Sequence, residues 1–442
     1  MSFHHHLIAG ERVSSVSTRK NISPSDTSDV IGEFSEADAA QVDLAVRAAH
    51  LALPQWSRST PQQRFDVLDF IGSEILARKQ ELGTLLAREK GKVLSEAIGE
   101  VTRAGYVFKF FAGEALRIGG QAIASVRPGI EVITSREAVG VVGLITPWNF
   151  PVAIPAWKTA PALACGNTVV LKPEELTPAC ASALADIIHR SSLPPGTFNL
   201  IMGDGVAGKA LVEPPSVDPI SFTGSVATGK LIAQHCTQHL KKFQLEMGGK
   251  NPLVILDDAD LPLAVECAAT GVFFSTGQRC TASSRTIVIE KIYADFSAAF
   301  IARTRDLRVG NALAASTQIG PVVDQRQLDK NLSYIDIGQA EGGQLLVGGQ
   351  RLADAGFFFS PAIIENHDAQ ARLNQEEVFG PVSTLIKVKD FEQAGMVMFN
   401  TPTVGVDYHV PFGGSKASSF GPREQGGMAM EFYTRVKTHY LA

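Results

Sequence analysis

Apolar positions recur at helical spacing along three early stretches of the chain. Residues 36–50 carry Ala, Val and Leu on one face, residues 60–90 follow a Pro61 start, and residues 92–117 hold a stripe through Ile98, Val101 and Phe108. Gly119 and Gly120 stop the third helix. Gly105 falls on its stripe, and an interior glycine weakens a helix. The residues ahead of these helices read as opening loops.

From residue 139 the period changes to short β-branched runs separated by helical segments. Residues 141–146, 168–172, 198–202 and 220–223 read as strands, with helices over 177–190 and 225–238. This rhythm predicts a parallel sheet covered on both faces. A second alternating block follows Pro252, with strands over 253–256, 286–290 and 383–388. Two α/β domains are the simplest account, with no internal repeat or low-complexity linker.

Composition narrows the function. The 442 residues are 45% hydrophobic and 19% charged, with 40 Gly and 23 Pro, the profile of a large soluble enzyme. A net charge of −5 without like-charge runs speaks against nucleic-acid or anionic-membrane partners. Lys158, Pro161 and Lys172 break the Ala-rich segments, so no stretch is expected to span a bilayer. Five cysteines, an odd number without a CxxC, fit a reducing cytoplasm without disulfides. His4, His5 and His6 read as a flexible terminal tract or a tag, and no metal site is expected.

Several stretches could carry chemistry. Cys280 lies among small and polar residues between Arg279 and Arg285, a setting that favours a reactive thiolate, whereas Cys165, Cys180 and Cys267 sit among Ala and Leu. Glu246 ends a short candidate strand before Gly248 and Gly249, as a general base would, or as a surface glutamate near a turn would. Two glycine-rich turns compete for a dinucleotide phosphate: 203–208 (GDGVAG) and 222–229 (FTGSVATG). Asn149, after a buried strand, is either an oxyanion donor or an Asx turn before Pro151. Lys172 is a cofactor ligand or a solvated strand-end lysine.

Taken together and in order, these stretches resemble the aldehyde dehydrogenase superfamily. The matching segments are 147–151 (PWNFP), 171–175 (LKPEE), 222–225 (FTGS), 245–252 (LEMGGKNP), 277–282 (GQRCTA), 376–381 (EEVFGP) and 411–414 (PFGG). The resemblance runs from about residue 7 to the C-terminus. It implies an α/β fold with a Rossmann-type cofactor domain (1–118 and 139–246), an α/β catalytic domain (247–425) and a β oligomerisation arm (119–138 and 426–442). It also implies a homodimer or homotetramer.

The same resemblance assigns roles. Cys280 is the nucleophile, Glu246 the base, Asn149 with the Cys280 backbone N–H the oxyanion hole, and Lys158 a lysine near the active site. Lys172 and Glu175 match positions at the adenosine ribose, Ser225 with Gly224 the pyrophosphate turn, and Glu377 and Phe379 the nicotinamide side. Gly205 falls near the adenine. Phe150, Trp157 and Phe412 match the walls of the aldehyde tunnel.

These roles imply oxidation of an aldehyde to an acid through a thioester on Cys280, with NAD as cofactor and NADP as the alternative. The carboxylate at 246 favours hydrolysis over transfer to coenzyme A, and Glu175 favours NAD. Residues 402–426 and 111–117 look most like the α-ketoglutarate semialdehyde (2,5-dioxovalerate) dehydrogenases, with Arg117 or Arg279 as the cation for an anionic substrate. Succinate semialdehyde, an uncharged aldehyde and a non-catalytic relative are the alternatives. One departure stands out: between Phe391 and Met396 the family pattern carries a further helix and strand, where this sequence runs directly from Glu392 to Gly395.

Overall fold

The computed structural model describes residues 2–352, 355–389 and 407–441. The departure between Phe391 and Met396 lies outside the described residues. Four helices form early: α1 (Ala39–Ser57), α2 (Pro61–Ala77), α3 (Lys79–Lys90) and α4 (Leu94–Ala115). Asp38 and Thr60 close capping boxes on α1 and α2 with Gln41 and Gln63. The single helix expected over 60–90 is broken at Arg78, whose backbone leaves the helical region. Gly105 marks a close crossing: a Cβ there would lie 2.6 Å from Leu76, and one on Gly72 would lie 2.8 Å from the Gly105 carbonyl. The glycines let α2 and α4 approach, a packing gain that offsets their helix cost.

The opening stretch is not loop. Strands Phe3–His4, Thr18–Ser23 and Asp26–Ser35 form one small sheet, while His6–Ile8 and Glu11–Val13 join the main one. The histidine tract is therefore built into the fold. His6 is buried, its Nε2 2.7 Å from Ser15 Oγ and its Nδ1 accepting from the Met202 amide at 3.1 Å.

The main sheet has eight strands. Its centre runs Phe243–Met247, Ile220–Gly224, Val141–Thr146, Thr168–Pro173, Phe198–Leu200, all parallel. Antiparallel strands flank it, Ser419–Phe420 beside Phe243–Met247 and His6–Ile8 beside Phe198–Leu200. Side chains alternate as the pleat requires. Val142, Leu144, Val169 and Leu171 pack towards α2, α4, α5 (Ala153–Ala164) and α6 (Pro178–His189). Val141, Ile145 and Val170 pack towards α1, α7 (Gly205–Val212) and α8 (Val226–Gln238). Burial on both faces explains the unbroken apolar run over 141–146.

Among the described residues a second sheet of five strands runs Asn251–Ile255, Ser283–Ile289, Val382–Val388, Ala362–Glu365, Gln344–Val347, the last one antiparallel. Helix α9 (Leu261–Phe273) packs on it. Finally, Ala122–Ala124, Glu131–Ala138 and Thr434–Leu441 form a three-stranded antiparallel sheet. Strand order places Val141–Thr146, the earliest central strand, between strands that run outward on both sides. Such a switch point opens a crevice at the carboxyl ends of parallel strands, and Asn149, Ser225 and Glu246 all follow or end those strands.

Candidate active site

Cys280 sits between α9 and strand Ser283–Ile289, and its approach is bent. Ser275, Thr276 and Gly277 all have left-handed backbones, with φ of 51°, 59° and 63°. A β-branched Thr in that region is strained and has to be held by its surroundings. The Ser275 N–H donates to Glu96 at 3.0 Å, Lys90 Nζ donates to the Ser275 carbonyl at 3.4 Å, and Thr276 Oγ1 donates to the Gly320 carbonyl at 3.1 Å. Helices α3 and α4 thus fix the turn that presents Cys280. Asn251 completes the hold, donating through Nδ2 to the Cys280 carbonyl.

Around this half-buried thiol the electrostatics differ from the sequence expectation. Burial pushes Cys280 up to about 12, and the carboxylates of Glu246 and Glu377 add to the rise, while Arg279 opposes it. The two flanking arginines do not produce a resting thiolate. Arg285 donates to the Lys250 carbonyl at 2.6 Å. Arg279 is buried, and its guanidinium donates to the carbonyls of Phe274, Thr270 and Gly271 at 2.7–3.2 Å. It stabilises the bent approach, a correction to its expected place as a substrate cation, with only its buried Nη1 left without a hydrogen bond. Arg117 is corrected too: it lies exposed at the end of α4 and is paired with Glu114 at 2.8 Å.

Glu246 is the last residue but one of strand Phe243–Met247 and is only 5% exposed. Burial, then the neighbouring Glu424 carboxylate, pushes it up to about 8, and the Ser419 hydroxyl, donating to Oε1 at 2.6 Å, pulls the other way. A carboxyl group with its value near neutral pH is poised to exchange protons. Behind it lies a buried polar chain. Lys158 donates to Glu424 Oε1 and, at 2.8 Å, to Ser221 Oγ, while Trp157 Nε1 donates to Glu424 Oε2 at 2.8 Å. Glu424 itself is held by paired backbone bonds with Phe412, at 2.7 and 2.8 Å.

Asn149 donates through Nδ2 to the Gln278 carbonyl at 3.1 Å, and its buried Oδ1 has no partner. Its amide lies on the backbone two residues before Cys280. Trp157 and Phe412 face each other with ring centroids 5.8 Å apart, and Arg103 stands 5.5 Å from the Trp157 ring. Phe150 carries Lys92 Nζ 3.6 Å above its ring.

The expected cofactor residues fall at the strand ends. Ser225 caps α8, accepting from the Thr228 amide at 3.2 Å, next to Gly224 at the end of its strand. Lys172 is buried with its Nζ 3.9 Å from Glu175. A concavity beside Glu175 is lined by Lys20, Glu36 and Gly203, and another beside Cys280 is lined by Gly249, Ala282, Glu377 and Phe379. Glu377 accepts from the Gly249 amide at 3.1 Å, and a Cβ on Gly248 would meet its carboxylate at 2.0 Å. Phe379 takes a left-handed backbone and meets Trp148 edge-on at 5.3 Å. Gly205 is exposed at the start of the short α7, capped by Asp204. Two concavities joined by strand-end turns suit an extended dinucleotide.

Sequence reasoning missed Glu424, Ser419, Asn251, Glu96 and Lys90. Ser419 and Glu424 meet Glu246 and Lys158 from positions far along the chain, so no local spacing signals them; Asn251, beside the glutamate motif, could have been found there. Among the described residues no cluster of three or more His, Cys, Asp or Glu is arranged to hold a metal ion, and no helix is long and apolar enough to cross a membrane.

Comparison with known proteins places this arrangement. A protein from Bacillus subtilis called alpha-ketoglutaric semialdehyde dehydrogenase is 39% identical, over 95% of this chain and 93% of its own. An alpha-ketoglutarate semialdehyde dehydrogenase from Haloferax volcanii is 37% identical, over 98% of both chains. The crystal structure of betaine aldehyde dehydrogenase from Staphylococcus aureus with NAD+ superposes with a TM-score of 0.96 at 34% identity, covering 99% of this chain and 94% of that one. The sequence model of the aldehyde dehydrogenase family matches residues 12–394 and 393–439, and this chain belongs to that family.

Proposed function

We propose that this NAD(P)-dependent aldehyde dehydrogenase oxidises α-ketoglutarate semialdehyde to α-ketoglutarate, with NAD as acceptor and Cys280 as nucleophile. The observation that carries the chemistry is the convergence of Cys280, Glu246 and Asn149 on one crevice. Three relatives named for this substrate, at 36–39% identity over 95–98% of the chain, support the choice of aldehyde.

The chain's own groups divide the work. The resting thiol gives its proton to Glu246 as Sγ adds to the aldehyde carbon. Asn149 Nδ2 turns from the Gln278 carbonyl to the developing oxyanion, joined by the Cys280 N–H. A bound nicotinamide supplies the hydride acceptor. Glu246 then releases that proton to solvent and, ionised again, takes one from the water that hydrolyses the thioester, while the Glu424, Lys158 and Ser221 chain behind it holds its charge environment fixed. Lys172 and Glu175 would hold the adenosine ribose, with Gly205 near the adenine. Ser225 and Gly224 would hold the pyrophosphate, and Glu377 and Phe379 the nicotinamide side. The Glu36 and Glu175 carboxylates on the far concavity favour NAD, and Lys20 and Arg19 on the same rim leave NADP as the second acceptor. Phe150, Trp157 and Phe412 would line the aldehyde path.

The arm supports assembly. Val126, Ile133, Val436 and Tyr440 are exposed on or beside its sheet, and an open edge with apolar side chains suits a partner copy in a homodimer or homotetramer. The free cysteines suit the reducing cytoplasm.

The test is NADH formation with 2,5-dioxopentanoate, succinate semialdehyde and a neutral aldehyde, without coenzyme A. Turnover that prefers the first and disappears in Cys280→Ala supports the proposal. Preference for another aldehyde removes the substrate assignment, and turnover that requires coenzyme A removes hydrolysis.

A further inference from the structure

With Arg117 exposed and paired with Glu114, and Arg279 turned to three carbonyls of its own approach with only Nη1 unbonded, the cation for an anionic substrate has to be sought by geometry. Arg103 is a residue that sequence spacing did not single out. It projects from α4, its guanidinium stands 5.5 Å from the Trp157 ring, and its Nη2 donates to Gln425 Oε1 at 2.9 Å. Glu100, Asp407 and Cys280 all act on its charge, so it lies within electrostatic reach of the nucleophile. Burial lowers it to about 10, which leaves it cationic at neutral pH.

Two buried donors at this pair have no acceptor. Arg103 Nε and Gln425 Nε2 make no hydrogen bond, and Gln425 is fully buried. The Arg103 donation fixes the amide's orientation, because only the oxygen of Gln425 can accept it, so Nε2 points away with its protons free. Gln425 also holds a left-handed backbone, with φ of 60°, a strained state for a residue that carries a side chain. It follows directly on Glu424, whose backbone is bonded to Phe412 across the crevice. Buried donors left unmatched in a fold that satisfies most of its polar groups mark a place where a ligand acceptor belongs.

We propose that Arg103, supported by Gln425, selects aldehydes that carry a carboxylate at the far end, its Nε–H and the Gln425 amide donating to the carboxylate while the aldehyde carbon lies at Cys280. This rests on the proposed oxidation of a semialdehyde acid and names the residue that recognises its charge. Trp157 stacks on the guanidinium and keeps it in line with the aldehyde path. Arginine suits the task because its planar guanidinium can donate to Gln425 through Nη2 and to the carboxylate through Nε at once, a fixed geometry that lysine cannot reproduce.

The experiment compares kcat/KM for 2,5-dioxopentanoate with that for pentanal, a neutral aldehyde of the same length, in the full chain and in Arg103→Met, Arg103→Lys and Gln425→Glu. In Arg103→Met the preference for the acid falls about 100-fold, mainly through KM, with pentanal turnover within about threefold of wild type. Arg103→Lys keeps part of the preference. Gln425→Glu, which sets a competing carboxylate beside the guanidinium, loses it as well and serves if Arg103→Met does not fold. Wild type without any preference overturns the substrate assignment, and this inference with it. Wild-type preference retained in Arg103→Met or in Gln425→Glu overturns the role of Arg103 alone, as does an equal loss on both aldehydes.

Discussion

Replacing Ser419 with alanine removes the hydroxyl that donates to Glu246 Oε1 across 2.6 Å and leaves the rest of the polar chain in place. That hydroxyl favours the carboxylate, so its loss pushes Glu246 further up from about 8. With a value near 8, about one tenth of the base is ionised at pH 7. A hydrogen bond to a charged group is worth about 1.5–3 kcal/mol, and each 1.36 kcal/mol changes the ionised fraction about tenfold. Ser419 is half-buried, so solvent weakens the effect and the low end applies. At pH 7 the variant therefore hydrolyses the thioester about tenfold more slowly, while its rate at high pH, where the base is fully ionised, stays within about twofold. The assay is kcat against pH from NADH formation at saturating aldehyde and NAD, with a pre-steady-state burst to show that hydrolysis limits turnover. A profile lowered equally at every pH, or an acid limb that moves to lower pH, would refute the reasoning.

Three further outcomes follow from the same contacts. In Glu246→Gln the sign runs through the raised carboxyl: its folded value, about 8, lies above the ordinary 4.5, so the folded state binds a proton more readily than the unfolded one. Wild type thus loses stability as pH rises from 4.5 through 8, and the glutamine variant melts close to wild type near pH 4.5 and above it near pH 9, by at most a few kcal/mol in thermal scans. Lys158→Met leaves the Glu424 carboxylate 3% exposed without its cation and costs about 3–5 kcal/mol in denaturant unfolding, most of which returns when Glu424→Gln is added. Gly248→Ala brings a Cβ to 2.0 Å from the Glu377 carboxylate, which swings off the Gly249 amide; the KM for NAD rises while chemical unfolding changes by less than about 1 kcal/mol, because only the end of a flexible side chain has to move.

What could be read from the sequence, and what could not, divides by how local the cause is. The strand over 141–146 was legible because both its faces are buried, so every residue had to be apolar or small, and the run has no other reading of comparable cost. The opening strands were not, since Asp26–Ser35 is half exposed, polar and irregular in register, and its pairing with Thr18–Ser23 supplies what its composition does not. The break at Arg78 has no Gly or Pro to announce it. The same division runs through the site. Cys280, Glu246 and Asn149 stand in short ordered motifs, whereas the groups that tune or hold them come from elsewhere: Glu424 and Ser419, which act on the Glu246 carboxyl, from near the C-terminus, and Glu96 and Lys90, which hold the turn before Cys280, from the early helices.

Arg279 shows why adjacency in sequence misleads. It neighbours the nucleophile, yet the left-handed turn over residues 275–277 aims its guanidinium back at the end of α9, where three carbonyls take it. Its Nη1 makes no hydrogen bond, but swinging the guanidinium towards a substrate would give up the three bonds that hold the turn before Cys280. Arg103, 176 positions before Arg279 in the numbering, keeps its Nε free because Gln425 offers one oxygen to a guanidinium with several N–H groups. Under the proposed role of Arg103, charge selection in this crevice follows from where tertiary hydrogen bonding aims an arginine's free donor rather than from distance along the chain.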